Sequence, residues 1–317
     1  MNLLGHDDAW RAWREALSGE RMHHAWLLSG KSGLGKMHFA QAAARLLVGA
    51  HADAEHHPDI HVLTHLPKDE KEARKKDDGK PYELKRNITI DQIRTMQQRL
   101  NTRPTMGDRR AILIDPADDM ERNASNALLK SLEEPPVGTY FLLVSHRPAK
   151  LLPTIRSRCR TVRFPSLSEN ELEGLLATLA PQSDAATREA AIAAAGGSPG
   201  RALAFVAMGL GPAAQIMRSI ATDGDPDFAL RGQLVKAVGA RPDRTRFEAL
   251  LELARSILGD DIADAHRAAW PARIESHAEL VRLTSEMPTY NFDPGLLVME
   301  IGTLLARAAP ASERAHG

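Results

Sequence analysis

The chain has 317 residues, enough for two or three ordinary domains, and 43% hydrophobic with 26% charged residues is a globular balance. Its 41 basic and 41 acidic side chains cancel, which argues against a strong free-standing DNA binder, because neutralising phosphates takes an excess of Lys and Arg. No apolar run approaches the ~20 residues that span a bilayer; the polar start, Met1 to Arg14, lacks the apolar stretch of a secretory signal; and a single cysteine, Cys159, leaves no intramolecular disulfide, so a cytoplasmic location fits best.

Asp8 to Leu17 has the spacing of a short amphipathic helix, closed by Ser18-Gly19. Ala25 to Leu28 reads as a buried strand, Ser29 to Gly35 as a glycine-rich turn, and Lys36 to Val48 as a helix. Ile60 to Leu63 is a second strand. Lys68 to Lys85 is dense in Lys, Asp and Glu and reads as a solvated excursion, with a partner or DNA contact as the other reading. Thr89 and Gln92 make a capping box, after which Ile93, Met96 and Leu100 mark one helix face.

Ala111 to Ile114 is the clearest buried strand, ending at Asp115; a helix over Asn123–Glu133 is stopped by Pro135-Pro136. Tyr140 to Val144 and Thr161 to Phe164 are further strands. Strands alternating with helices over residues 1–166 predict a parallel sheet covered on both faces. Beyond Pro165 the strands stop. Ser168 and Glu171 make another capping box, and helices are predicted to Leu179, over Asp184–Ala195 and over Pro199–Met208. Gly209 to Pro212 reads as a hinge, and the pattern is helical from there to Ala309. The expected organisation is an α/β P-loop domain (1–166), a small helical domain (167–211) and an all-α domain (212–317).

Gly30 to Met37 nearly fills the phosphate-loop pattern G-x-x-x-x-G-K-[ST]. Gly30, Gly33 and Gly35 let backbone N–H groups wrap phosphate oxygens at a helix N-terminus, and Lys36 reaches for the outer phosphates. Met37 stands where a hydroxyl would hold Mg²⁺, and a thioether is a poor ligand for that hard cation. Asp115 stands at a strand end like the metal-side aspartate of P-loop hydrolases; the plain alternative is a strand-end turn residue. The water-orienting glutamate that would follow it is replaced by Pro116, and a positioned base is worth ~10²–10⁴ in rate. Nucleotide (ATP or ADP, with Mg²⁺) is therefore expected to bind weakly if at all, and hydrolysis to be negligible.

Asn126 to Pro136, NALLKSLEEPP, resembles a segment of bacterial clamp-loader AAA+ subunits, and Leu152 to Cys159, LPTIRSRC, resembles a second at the matching spacing. His57-Pro58-Asp59 and Thr89 to Arg94 look like the delta-prime branch. The resemblance covers residues ~20–210 well. It implies an AAA+ fold with a helical lid and a C-terminal collar domain for ring assembly. It also implies a part in loading the sliding clamp of DNA polymerase III onto primed DNA, beside motor subunits of the gamma/tau type and a clamp-opening delta-type subunit.

The same resemblance implies that Arg158 enters the ATP site of an adjacent motor subunit. The bland reading makes Arg156, Arg158, Arg160 and Arg163 a solvated strand face. Ser145 falls at the family's first sensor, and Arg201, in Gly197 to Arg201, at the second; a structural role opening its helix is the other reading of Arg201. Many members carry a four-cysteine zinc module near residues 46–65. Here that stretch holds His51, Asp53, His56, His57, His61 and His65, whose spacing repeats no metal-ligand pair, so no metal is expected. Two rival functions stand beside this one. A working motor ATPase is opposed by Met37 and Pro116, and a purely structural scaffold by the intact Ser157-Arg158-Cys159.

Overall fold

The structure is a computed structural model that describes residues 6–19, 21–51, 56–239, 242, 244–260, 270–286 and 293–309. Two compact units divide between Ser166 and Leu167.

The first unit is a five-stranded parallel sheet in the order β2-β3-β4-β1-β5. Its strands are β1 (Ala25–Ser29), β2 (Ile60–Leu63), β3 (Arg110–Ile114), β4 (Thr139–Ser145) and β5 (Arg160–Arg163). All four pairings are parallel, with Leu27 opposite Leu143 and Thr161, and Leu113 opposite Val62 and Leu142. Period-two alternation divides the strands between two cores. Trp26, Leu28, Ala111, Leu113, Leu142 and Val144 pack on one face with Trp13 of α1 (Asp7–Ser18) and with Phe39 and Ala43 of α2 (Lys36–Val48). Leu27, Ile112, Ile114, Phe141 and Leu143 face the other side. There they meet Ile93 and Met96 of α4 (Ile90–Leu100) and Leu128 and Leu132 of α5 (Arg122–Glu133). Central strands buried on both faces need the near-continuous apolar runs that the sequence shows.

The stretch 68–85 is solvated as expected but is not all loop. It carries α3 (Glu70–Asp77), capped by Asp69, whose side chain accepts from the Glu72 N–H at 2.9 Å. Acidic side chains in the first turn and Arg74, Lys75 and Lys76 in the last complement the helix dipole. Buried Glu72 accepts from the Glu83 N–H at 2.7 Å and from Lys75 at 2.7 Å, while Lys68 N–H donates to the Glu83 carbonyl. Most of its charged side chains still face solvent.

A four-residue helix, α6 (Pro153–Arg156), precedes β5. The second unit holds α7 (Glu169–Leu179), α8 (Ala185–Ala195), α9 (Pro199–Ala207), α10 (Gly211–Asp223), α11 (Ala229–Val238), α12 (Arg244–Asp260), α13 (Trp270–Glu286) and α14 (Pro294–Ala308). One continuous core runs from Leu172 and Ala191 through Phe205, Met217 and Leu251 to Leu305. The glycine break is a packed turn: Leu210 is fully buried, and a Cβ on Gly211 would lie 2.1 Å from the Thr187 hydroxyl. No single described helix is long and apolar enough to cross a membrane.

Candidate nucleotide cradle and arginine turn

The loop between β1 and α2 has the conformation its glycines predict. Gly33 and Gly35 take φ of 78° and 77°, and Gly35 is the N-cap of α2, a left-handed geometry that other residues adopt at a cost. Gly30 donates to the Ser145 carbonyl at 3.2 Å, and a Cβ there would sit 2.4 Å from the Phe164 carbonyl oxygen. On the other side, His6 Nε2 lies 2.7 Å from the Leu34 carbonyl, and the His6 ring meets Phe164 edge-on. The loop is thus braced by three strand ends and the start of the chain's first helix.

Lys36 is buried, and its ammonium donates to the carbonyls of Gly30 (2.7 Å) and Lys31. Burial pushes its pKa down to about 8 against the opposing charges of Asp115 and Asp118. Asp115 follows β3 in a cis Asp115–Pro116 peptide, 3.9 Å from His146 Nε2. Burial raises its carboxyl above the usual range, and His146, Lys36 and His65 only partly offset that. The His146 imidazole is pushed down by burial and by Lys36.

Ser145 is fully buried, and its hydroxyl donates to Asp118 at 2.6 Å. Asp118, on the 3-10 turn Ala117–Asp119, also accepts from the backbone N–H groups of His146 and of Arg147 (2.9 Å). That carboxylate ties the end of β4 to the turn after β3. Sequence reading overlooked it; the only signal was a pair of aspartates just beyond a proline. The backbone cradle suits phosphate oxygens. A magnesium ion is another matter. Met37 packs its thioether against the apolar core, Pro116 offers no side-chain oxygen, and Asp118 is committed to three donors. Asp115, whose buried Oδ1 has no hydrogen-bond partner, is the one carboxylate left for a metal, and with no hydroxyl or second carboxylate left beside it the set is too poor in oxygen to fit a hard divalent cation.

Arg158 lies at the opposite end of the sheet. β1 and β5 are parallel neighbours, with Trp26 opposite Arg160 and Ser29 opposite Arg163. The cradle follows the C-terminal end of β1, while Arg158 precedes the N-terminal end of β5, so at least about 10 Å of strand separates them. The Arg158 guanidinium donates to the Thr154 carbonyl at 2.9 Å and pairs with Glu133, the last residue of α5, at 2.6 Å. Its side chain remains 34% exposed. Arg160 lies over the Trp26 ring at 4.9 Å, and Arg156 and Arg163 face solvent. Glu133 too was overlooked, although it lies inside the segment that carries the family resemblance. The thiol of Cys159 is pushed up to about 12 by burial, which leaves it an inert packing group.

Arg201 belongs to the second unit, in the first turn of α9. Its N–H donates to the Ser198 hydroxyl at 3.4 Å, and its guanidinium pairs with Glu252 of α12 at 2.9 Å. Of the histidine-rich stretch, His57 Nδ1 accepts from the Asp59 N–H at 3.2 Å, and His65 lies 3.4 Å from Asp119. Asp53 is outside the described residues. Among those described, no cluster of His, Cys, Asp and Glu could hold a metal ion.

Comparison with known proteins gives the family. The family model described as "DNA polymerase III, delta subunit" matches residues 5–168. The delta' subunit of DNA polymerase III from Pseudomonas aeruginosa is 36% identical over 207 residues, 59% of this chain and 58% of that one. The delta' subunit from Escherichia coli is 30% identical over 201 residues, 58% of this chain and 55% of its own length. The matches therefore span little more than half of each relative. A DNA polymerase III gamma subunit-related protein from Thermotoga maritima shares the fold, with a TM-score of 0.53 at 18% identity over 94% of this chain and 98% of that one. The match over more than half of its length, with delta' subunits among its relatives, makes this chain a member of the delta-prime branch of the AAA+ DNA polymerase III clamp-loader subunits.

Proposed function

We propose that this chain works in a clamp loader as a subunit that turns over no ATP itself and lends Arg158 to the ATP site of a neighbouring motor subunit. The single observation that carries the reading is the polarity of the first unit: cradle and arginine sit at opposite ends of one parallel sheet. Arg158 is out of reach of its own cradle, so a nucleotide phosphate it serves would be one held by another chain. Its planar fork bridges phosphate oxygens and stays charged at any working pH.

The cradle fits a degenerate role. Lys36 is turned into its own loop, Asp115 lacks a following base, and the Met37 position offers no hydroxyl. Residues 167–211 would then serve as the lid and 212–317 as the collar that joins gamma/tau-type motor subunits and a delta-type opener around the sliding clamp and primed DNA. Ser145 and Arg201 are the remaining sensor positions, both already engaged within the chain.

The test has two arms. The isolated chain should show negligible ATP turnover; metal-dependent hydrolysis abolished by Lys36→Ala would make it a motor instead. In a reconstituted loader, Arg158→Ala should cut turnover at the one site it faces by about 10³–10⁵, so that total turnover falls by that site's share. Unchanged total turnover and unchanged clamp loading at matched assembly would reduce the chain to a scaffold.

A further inference from the structure

We propose that Glu133 is the positioning residue for Arg158, fixing the guanidinium before it meets phosphate; this rests on the trans role argued above. Arg158 stands among four arginines, yet it is the only one of Arg156, Arg158, Arg160 and Arg163 paired with a carboxylate among the described residues. The anchor comes from a different element. Glu133 closes α5, where Pro135-Pro136 ends the helix, and Thr154 lies in α6 just before the arginine turn. One terminal nitrogen donates to the Thr154 carbonyl at 2.9 Å while the other meets Glu133 at 2.6 Å, so the fork is gripped from two sides.

Two consequences follow from the chemistry. An arginine on four free torsions would have to lose its rotamer freedom on reaching the neighbour's phosphate; one already held loses less. A guanidinium has five N–H donors, so the grip of one carbonyl and one carboxylate leaves donors for a third partner. Glu133 also carries negative charge at a helix C-terminus, an unfavourable place for it, and the cation of Arg158 offsets that. The ion pair with Arg158 thus gives the residue's place a physical reason.

The experiment uses the full reconstituted loader with clamp and primed DNA, assembly matched by size-exclusion chromatography. The variants are Glu133→Ala, Glu133→Gln, Glu133→Asp, Arg158→Ala and the double change Glu133→Ala with Arg158→Ala. Glu133→Ala should lower kcat at the facing site about three- to fivefold, the scale of a partly exposed charge pair, with KM for ATP unchanged. Glu133→Asp should recover part of the loss, and the double variant should be no slower than Arg158→Ala alone. Glu133→Gln keeps the shape and reads the charge by itself if the alanine variant fails to assemble. The inference is overturned if turnover is unchanged, or if it rises, which would mean that the carboxylate competes with phosphate. It is equally overturned if the loss persists without Arg158, or if no Glu133 variant assembles. An Arg158→Ala loader that has lost the facing site's share of turnover, beside a normal Glu133→Ala loader, sinks this inference alone; a normal Arg158→Ala loader sinks the trans reading and this one with it.

Discussion

Replacing Asp59 with Asn should destabilise the first unit by an amount that can be worked out and then titrated away. Asp59 is 2% exposed, and its two carboxylate oxygens accept from the backbone N–H groups of Thr105 at 2.6 Å and Met106 at 2.8 Å. It thereby pins the loop between α4 and β3, beside Arg110, whose guanidinium donates to the Arg99 and Thr102 carbonyls. Asparagine has the same shape but one acceptor oxygen, so its amide NH₂ would confront the second N–H. One charge-assisted bond is lost and the amide NH₂ is set against a partly buried N–H, a cost of about 2–3 kcal/mol. For a domain of this size that is a fall in Tm of roughly 4–10 °C.

The pH dependence has a definite sign. Burial alone would raise the Asp59 carboxyl, but the Thr105 and Met106 donors, with the charges of His57 and Arg110, hold it below the ordinary value. A carboxylate depressed on folding contributes above its unfolded pKa of about 4 and loses that contribution as pH falls through the folded value. The gap between wild type and Asp59→Asn should thus be flat from neutral pH down to about 5 and shrink below about 4. Tryptophan fluorescence reports it, since Trp10, Trp13 and Trp26 lie in the first unit and only Trp270 in the second. A gap that is absent at neutral pH, or that widens on acidification, refutes the reasoning.

Two further outcomes are expected. Lys36 stays buried and charged at neutral pH, and the penalty fades as pH rises from about 8 toward its ordinary 10.5. Lys36→Met should therefore raise Tm at neutral pH by a margin that diminishes through that window, and an increment independent of pH would contradict it. In the second unit, Asp225 is buried and receives the Arg231 Nε–H at 2.8 Å, with Phe228 stacked on the guanidinium and Thr303 accepting from it. Asp225→Ala leaves that cation uncompensated and should cost about 3–5 kcal/mol, read as a lower denaturant midpoint; adding Arg231→Met should restore part of it.

The parts of this fold written in local sequence were legible. The five strands were located to within a residue or two; for the central β1, β3 and β4 the signal is an apolar run, since strands buried on both faces leave no room for polar interruptions, whereas the edge strands β2 and β5 carry His61 and the exposed Arg160, Thr161 and Arg163. The glycine loop and Asp115 were legible because backbone geometry restricts the residues allowed. Pairings that depend on distant elements were not: Asp118 with Ser145, Glu133 with Arg158 and Asp59 with Thr105 join positions 27, 25 and 46 residues apart. The family-like His57-Pro58-Asp59 could be noticed in the sequence, but its work as an anchor for a remote loop could not be. The helix at Glu70–Asp77 was hidden by its charge. It has no apolar stripe to reveal a period and is held by its cap, by Glu72 and by the short ladder at its base.

The placement of cradle and arginine at opposite ends of the sheet gives the subunit a direction, like a link with a hook at one end and an eye at the other. Contacts built on such a link join unlike faces, so a row of related subunits closes into a ring or runs on as a helix. Under the trans role proposed for Arg158, a link whose eye is stopped would still hook its neighbour while nothing useful hooked into it. That proposal would put such a chain at the one end of a row from which the sequence of firing sites starts.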